Sequence, residues 1–160
     1  MTLLGALSSD DPITAARELS LRRGLRAPLI ALLAIERRTE NRCAIVYALA
    51  WQDDVRAWWP LMRLAADVNE HESVRDFACE GLAYLFNKKR RDSLSHRAAM
   101  HVFDELARSS QPRLRFAAAF ALAESRDATA IPVLRKMLGD VAHIAEEARR
   151  AIERLSGPGV

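Results

Sequence analysis

The residues best suited to nucleophilic, acid–base or metal chemistry are two cysteines and four histidines. Cys43 and Cys79 fall inside predicted helices and are interpreted as buried, reduced thiols. No histidine stands at zinc-ligand spacing from either cysteine, and no glycine-rich phosphate loop or nucleophile elbow is present. The sequence therefore predicts no catalytic residue, no metal site, no cofactor and no enzymatic activity. The histidines are predicted to be exposed or to cap helices: His71, His96, His101 and His143.

Three tryptophans flank a short acidic segment, Gln52–Asp54. Trp58 and Trp59 are adjacent and would project about 100° apart on a helix, so we expect one to pack inward and the other to be exposed. Exposed tryptophans are frequent binding hot spots. The exposed member of the pair is therefore a candidate anchor for a partner protein.

The only dense basic run in the sequence is Lys88, Lys89, Arg90 and Arg91. Such a run contacts phosphate or an acidic partner, or it is simply a solvated loop. No aromatic residue is interleaved with it, as a single-strand binder would require. The net charge of +3 is also small for a dedicated nucleic-acid-binding protein.

Helical periodicity extends over almost the whole chain, with glycine and proline only at its interruptions. The 160 residues suffice for one domain with a substantial core. Asp11 and Pro12 are predicted as the N-cap and first residue of the first helix. The predicted helices cover about residues 12–23, 26–38, 40–51, 54–68, 73–86, 93–109, 112–124, 128–138 and 142–155.

One predicted helix, Pro112–Glu124, has only apolar residues from Phe116 to Ala123. A helix without a polar stripe must be covered on several sides. We therefore expect this helix to form an interior layer of a stack.

Alternate helices share the pattern Arg-x-x-(Ala/Ile)-x-x-(Ala/Gly)-Leu, which begins at Arg42, Arg75 and Arg115. Small residues in this pattern would let helices approach closely, and each helix pair is too small to fold alone. The chain resembles the HEAT-repeat family, including the repeats of phycobilin-lyase-type proteins. The segments that carry the resemblance are VRDFACEGLAYL (74–85), LRFAAAFALAES (114–125), DATAIPVLRKMLGD (127–140) and NRCAIVYALA (41–50).

The resemblance implies an all-α fold, a right-handed α-solenoid of about four to five helix pairs, with one helix of each pair on a concave face. We expect one domain over residues 1–160 with a repeat core at about 25–155. A basic insertion loop is expected at 87–92 and a flexible tail at 156–160.

The repeat arginines allow two interpretations. They could line a surface and contact a partner, or they could pair with nearby acids and hold the repeats in register. Glu72 favours the second role for Arg75. Arg115 has no acid in its own turn and stays a candidate partner contact, with Arg113 beside it.

The leading functional hypothesis is a non-catalytic adaptor, inhibitor or immunity-type protein that binds another protein. An alternative is nucleic-acid binding, because HEAT-like DNA alkylation glycosylases use concave tryptophans with an aspartate. A third, from the resemblance alone, is lyase-like handling of a chromophore. No membrane span or signal peptide is predicted, a cytoplasmic location is expected, and the oligomeric state stays open. The candidate partner-binding residues are Trp58, Trp59, Arg42, Arg75, Arg113 and Arg115.

Overall fold

All regular structure in the described part of the chain is helical. The computed structural model describes residues 12–157, with side chains from Thr14 onward. These residues form nine α-helices and no β-strand, which confirms the predicted all-α class. Asp11 and residues 158–160 of the predicted tail lie outside the described residues. The helices are α1 (Pro12–Ser20), α2 (Arg26–Ile35), α3 (Thr39–Ala50), α4 (Trp58–Ala66), α5 (Glu72–Leu85), α6 (Leu94–Leu106), α7 (Pro112–Glu124), α8 (Ile131–Met137) and α9 (Ala142–Ser156).

The chain divides into two compact units at Gly81–Leu82, inside α5. In the first unit, α1 and α2 both pack against α3. In the second, α7 packs against α6, α8 and α9, and α9 also covers α8. The second helix of each pair (α3, α5, α7 and α9, called the second helices) carries the repeat pattern, as the sequence predicts.

The helix α7 confirms the prediction of an interior layer. Ala117, Ala118, Ala119 and the segment 121–123 are buried. Its first residue, Pro112, occupies a position where no intrahelical N–H is needed. Alanines contribute little area individually, but they let neighbouring helices approach and surround α7.

Close helix packing in the first unit depends on Gly81 in α5. A Cβ atom at this position would lie 2.6 Å from Cβ of Ala50 and 3.0 Å from Cδ1 of Leu61. Real Cβ atoms are almost never so close to another heavy atom. The small residue of the repeat pattern is therefore a steric requirement here.

The turns that follow α3 and α7 share one conformation. Asp53 and Arg126 both adopt a φ of 54°, in the left-handed region that single non-glycine residues occasionally occupy. The next residue, Asp54 or Asp127, caps a short 3₁₀ turn by accepting a hydrogen bond at 2.9 Å from the backbone N–H two residues later. After α5 the chain instead forms the 3₁₀ turn Phe86–Lys88. The turns after α3 and α7 thus repeat one conformation, and the turn after α5, where the sequence predicts an insertion, differs from them.

Candidate functional site

The adjacent tryptophans at the start of α4 have opposite environments. Trp58 has 0% of its surface exposed, whereas Trp59 is 45% exposed. Trp58 lies on the buried stripe of α4 with Leu61 and Met62, so its predicted role in partner binding is wrong. Trp59 stays a candidate anchor.

Arg42, in α3, forms hydrogen bonds with the end of α2 and with the turn before α5. Its Nη1 donates hydrogen bonds to the carbonyl oxygens of Leu33 and Glu36, at 2.8 and 2.9 Å. Its Nε and Nη2 form a two-bond ion pair with the carboxylate of Glu70, in the turn before α5. The guanidinium therefore satisfies the C-terminal end of α2 and ties α3 to the turn before α5.

Arg115 makes the same arrangement in the second unit. Its Nη1 donates to the carbonyl oxygens of Ser109 and Ser110, at 2.8 and 3.1 Å. Its Nε and Nη2 lie 2.6 and 2.9 Å from the two carboxylate oxygens of Asp140. The hydrogen bond from Arg115 is the main reason why the pKa of Asp140 is lowered. The acid comes from the turn before the following second helix, which is why the turn of Arg115 itself needs none.

These contacts bear on the prediction that Arg42 and Arg115 bind a partner. Each guanidinium donates two hydrogen bonds to carbonyls and two to a carboxylate of the chain itself, which favours the alternative role of holding repeats in register. Arg113, two residues before Arg115, has an exposed side chain. Its role as a partner contact stays a prediction.

Arg75 differs from both of its counterparts. It is 9% exposed, and its Nε donates to the carbonyl oxygen of Ala65 at 3.1 Å. No carboxylate of the described residues forms an ion pair with it, so the predicted pairing with Glu72 is wrong. The carbonyl at the end of α4 takes the place that a carboxylate has at Arg42 and Arg115.

Partly exposed aromatic rings form a cluster in the first unit that the sequence analysis did not recognise. Tyr47 stacks on Trp51 with ring centroids 5.8 Å apart. Its other edge meets Phe77 at 5.9 Å. Trp51 is 46% exposed, and the other two rings are partly buried.

The second unit contains the same kind of surface. Tyr84 is 40% exposed and packs edge-on against Phe120 at 6.1 Å. Phe116, 37% exposed, lies 5.9 Å from the ring of His143. We use the name aromatic stripe for the rings of both units, each set taken within its own unit on the second helices and their ends: Tyr47, Trp51 and Phe77 in the first unit, and Tyr84, Phe116 and Phe120 in the second.

A signal for the stripe was present in the sequence. Tyr47 and Trp51 are four residues apart, as are Phe116 and Phe120, which places each pair on one helix face. The three registers of α9 that correspond to this face hold charged residues instead: Glu146, Arg150 and Arg154. Comparison of the second helices in register would have shown that only α9 lacks aromatic residues on this face.

His96 is buried, which corrects its prediction as an exposed or capping residue. It shares a helix face with Ala99 and Phe103, and only 1% of its surface is exposed. Its Nε2 lies 3.0 Å from Oδ2 of Asp127, and Nδ1 has no hydrogen-bond partner in the described structure. Burial raises the pKa of Asp127, but hydrogen bonds from Thr129 and His96 outweigh it and the net pKa is lowered. The pair ties α6 to the turn after α7.

The two cysteines lie in the core, whereas most of the basic segment lies on the surface. Cys43 and Cys79 are buried and form no disulfide, as predicted, and burial raises the pKa of the Cys79 thiol. In the basic segment, Lys89 is partly buried while its three neighbours are exposed: Lys88, Arg90 and Arg91.

Neither a metal-binding cluster nor a membrane-spanning helix is found among the described residues. No group of three or more histidine, cysteine or acidic side chains is placed to hold a metal ion within residues 12–157. Across the same residues, no helix combines the length and the apolar character needed to cross a membrane.

Paired antiparallel helices with a common sequence pattern define an α-helical repeat protein. The chain belongs to the HEAT-repeat family, because the family model for HEAT repeats matches residues 64–155, more than half of its length. Its fold is similar to a solved structure titled the complex of CpcE and CpcF of phycocyanin lyase, from Nostoc sp. PCC7120. The TM-score is 0.77 at 20% sequence identity, over 93% of this chain and 95% of that one. A search of curated protein sequences found no match. The fold is thus an all-α HEAT solenoid.

Proposed function

We propose that this chain is a non-catalytic module that binds another protein, in the manner of an adaptor, an inhibitor or an immunity protein. In each unit, the rings of the aromatic stripe are the proposed contacts with the partner. In the HEAT-repeat proteins that the sequence resembles, one helix of each pair lines a concave face, and we assign that binding role to the second helices of this chain.

The observation that carries the proposal is the partial exposure of rings that are already fixed in place. Tyr47 is in contact with Trp51 and Phe77, and Tyr84 is in contact with Phe120. Rings held by such contacts lose little conformational entropy on binding, which makes them favourable anchors. Tryptophan and tyrosine are also among the residues most enriched in interface hot spots.

The structural likeness supports a protein partner in a limited way. The similar structure contains two chains, CpcE and CpcF, in a complex. A HEAT-repeat fold can therefore serve as a protein-binding surface, and we extend that role to this chain. The chemistry of the lyase in that title is not extended, because the identity of 20% supports the fold only.

A pull-down from the native cell extract with the tagged chain, followed by affinity measurement on the purified partner, tests the proposal. Trp51→Ala and Tyr84→Ala should each weaken binding by roughly tenfold or more, because hot-spot truncations cost about 2 kcal/mol. Val68→Ala and Leu94→Ala are matched controls, since these apolar side chains are exposed outside the stripe. Equal binding by stripe and control variants would exclude the stripe as the interface.

Trp59→Ala tests the anchor that was predicted from the sequence. Because Trp59 is not part of the aromatic stripe, its effect is measured separately. A loss of affinity as large as that of Trp51→Ala would extend the interface to α4. An unchanged affinity would restrict the interface to the second helices and their ends.

Nucleic-acid binding is the second candidate, favoured by the exposed basic side chains at Lys88, Arg90 and Arg91. If these residues contact phosphates, affinity for duplex or single-stranded DNA should fall steeply with salt, and Arg90→Ala should reduce that slope by about one unit. A weak response without salt dependence would remove this candidate. The glycosylase-like version is already weakened, because Trp58 is buried and cannot stack on a base.

A further inference from the structure

A groove on the second unit is lined by the C-terminal end of α6, by α8 and by the turn before α9. Its volume is about 330 Å³, which is at the lower end of the range for small-molecule sites. No residue of the aromatic stripe lines it. The groove is therefore a different site from the proposed protein contacts.

The apolar part of the groove is formed by Ala107, Val133 and Met137. Ala107 and Met137 are buried, and Val133 is partly buried. Gly139 adds no side chain to the wall, and a Cβ atom there would have no heavy atom within 4 Å. The groove is thus open beside Gly139, and it offers a small apolar body a surface on which to be removed from water.

Four charged residues line the rest of the groove, and three of them are paired within the chain. Arg108 forms an ion pair with Asp104, one helical turn before it. Asp140 is bound by Arg115 through two hydrogen bonds. The ammonium of Lys136 is exposed and forms no hydrogen bond or ion pair with another described residue. The groove therefore has one positive charge that the described chain does not neutralise.

The wall that carries Asp140 is already fixed. Besides Arg115, the backbone N–H of Val141 donates to Oδ1 of Asp140 at 2.7 Å. The backbone N–H of Asp140 itself donates to the carbonyl oxygen of Met137 at 3.1 Å. A ligand need not order this turn, which keeps the entropic cost of binding small. The carboxylates of Asp104 and Asp140 would also repel a ligand that carries two negative charges.

We propose that this groove binds a small monoanion with an apolar body, of which a short-chain carboxylate is the simplest. The ammonium of Lys136 binds the carboxylate, and the chain covers Val133 and Met137. The single unneutralised charge selects a monoanion, because an uncharged ligand forgoes the ion pair and a dianion faces two carboxylates. This inference is independent of the proposed function, since it involves no residue of the aromatic stripe.

An NMR titration of the full chain with sodium hexanoate tests the proposal, with the methyl groups of valine, leucine and methionine as reporters. The Val133 and Met137 resonances should shift saturably, with a dissociation constant on the order of 1 mM. The resonances of Leu94, an exposed residue of the same unit outside the groove, should not shift. Equal shifts at Leu94, or no saturable shift at Val133 and Met137, would overturn the proposal.

Two related compounds separate the charge of the ligand from its apolar body. Sodium acetate keeps the carboxylate and lacks the chain, whereas hexanamide keeps the chain and lacks the charge. Each should bind about fivefold more weakly than hexanoate or worse, because each forgoes one of the two contributions. Hexanamide or inorganic phosphate binding as tightly as hexanoate would contradict the proposed selection of a monoanion with an apolar body.

Lys136→Gln and Arg135→Gln form a matched pair of variants. Both remove one exposed positive charge from α8, but only Lys136 lines the groove. Lys136→Gln should weaken hexanoate binding roughly fivefold, and Arg135→Gln should change it by less than about twofold. Both should keep the wild-type melting temperature, because neither side chain is buried. Equal effects of the two variants on affinity would show that hexanoate responds only to net charge, and the assigned site would be wrong.

Discussion

Helices α7 and α9 occupy the same place in consecutive repeats but are covered to different extents. Ala118 and Ala148 are both fully buried at one register, and Ala121 and Ala151 are both buried three residues later. These positions give the two helices a common packing face. The repeat pattern therefore marks the contacts that both helices share.

The two helices differ in the residue types on the face opposite to this packing face. Ala119 and Ala123 of α7 are buried, whereas Arg149 and Glu153 at the same registers of α9 are exposed. Small apolar residues are found where other helices cover the surface, and charged residues where solvent does. At these registers the residue type depends on whether other helices cover the surface, and not on the repeat pattern.

The largest effect on stability should come from a charge placed at a register of α7 that other helices cover. Ala119→Arg would bury an unpaired guanidinium in α7 and cost several kcal/mol, enough to unfold the protein. The matched change Arg149→Ala in α9 should alter stability by less than about 0.5 kcal/mol. Thermal melts of both variants provide the measurement. Similar melting temperatures for the two would show that α7 is not covered as described.

The next largest effect concerns a contact that α7 makes and α9 does not. The register of Arg115 is occupied by Ala145 in α9, so only α7 is fixed to the following turn by a guanidinium. Arg115→Met should cost about 2–3 kcal/mol, because it removes the bonds to Ser109 and Ser110 and leaves Asp140 without its cation.

Chemical denaturation of Arg115→Met, with Arg115→Lys as the control, measures this cost. Lysine keeps the positive charge but cannot bind two carbonyls and a carboxylate at once, so it should recover only part of the loss. Full recovery by lysine would mean that charge alone, and not the fork geometry, holds the turn.

The sequence predicted most of the fold because its strongest signals are local. Helical periodicity, Pro112 and the small residues of the pattern specify helices and their packing faces without knowledge of distant contacts. The predicted helices extend beyond the observed ones at several ends, as with residues 93–109 against Leu94–Leu106. Helix ends depend on capping contacts, which a periodic pattern does not reveal.

The candidate site was harder to predict because its residues depend on distant partners. The acid that binds Arg115 is Asp140, in the turn before the next second helix, and no local spacing indicates it. Burial of His96 likewise depends on Asp127, far along the chain. For Trp58 and Trp59, the sequence correctly required opposite environments but could not assign them.

A smaller effect should arise where the small residue of the repeat is glycine instead of alanine. Gly81 of α5 shares its register with Ala121 of α7, but a Cβ at Gly81 would approach Ala50 to 2.6 Å. Gly81→Ala should cost about 1–2 kcal/mol, since overpacking outweighs the gain in helix propensity of roughly 1 kcal/mol. Denaturant unfolding of the variant and the wild type measures whether the overpacking cost or the gain in helix propensity is larger. A more stable Gly81→Ala would show that α3 and α5 can separate at little cost.

The ion pair between α7 and the turn before α9 should also make stability depend on pH. The Arg115 hydrogen bond is the largest cause of the lowered pKa of Asp140, whose ordinary value is 3.8. A group with a lowered pKa in the folded state stabilises the protein above its unfolded pKa. This contribution is lost as pH falls through the folded value, so stability should decrease between about pH 5 and pH 2.

Asp140→Asn isolates this contribution. The variant should be less stable than the wild type at neutral pH, and the difference should shrink as the wild-type carboxylate is protonated. Thermal melts across this pH range provide the comparison. A difference that stays constant with pH would mean that Asp140 contributes through its shape and not through its charge.

The smallest effect should come from Glu153 on the uncovered face of α9. Its side chain is exposed near the C-terminal end of the helix, where a negative charge interacts unfavourably with the helix dipole. Glu153→Ala should therefore change the free energy of unfolding by less than about 0.5 kcal/mol in either direction. Denaturation at two protein concentrations makes this null result informative. A cost above about 1 kcal/mol that grows with concentration would show that a second copy of the chain covers this face, and the contrast between α7 and α9 would then disappear in solution.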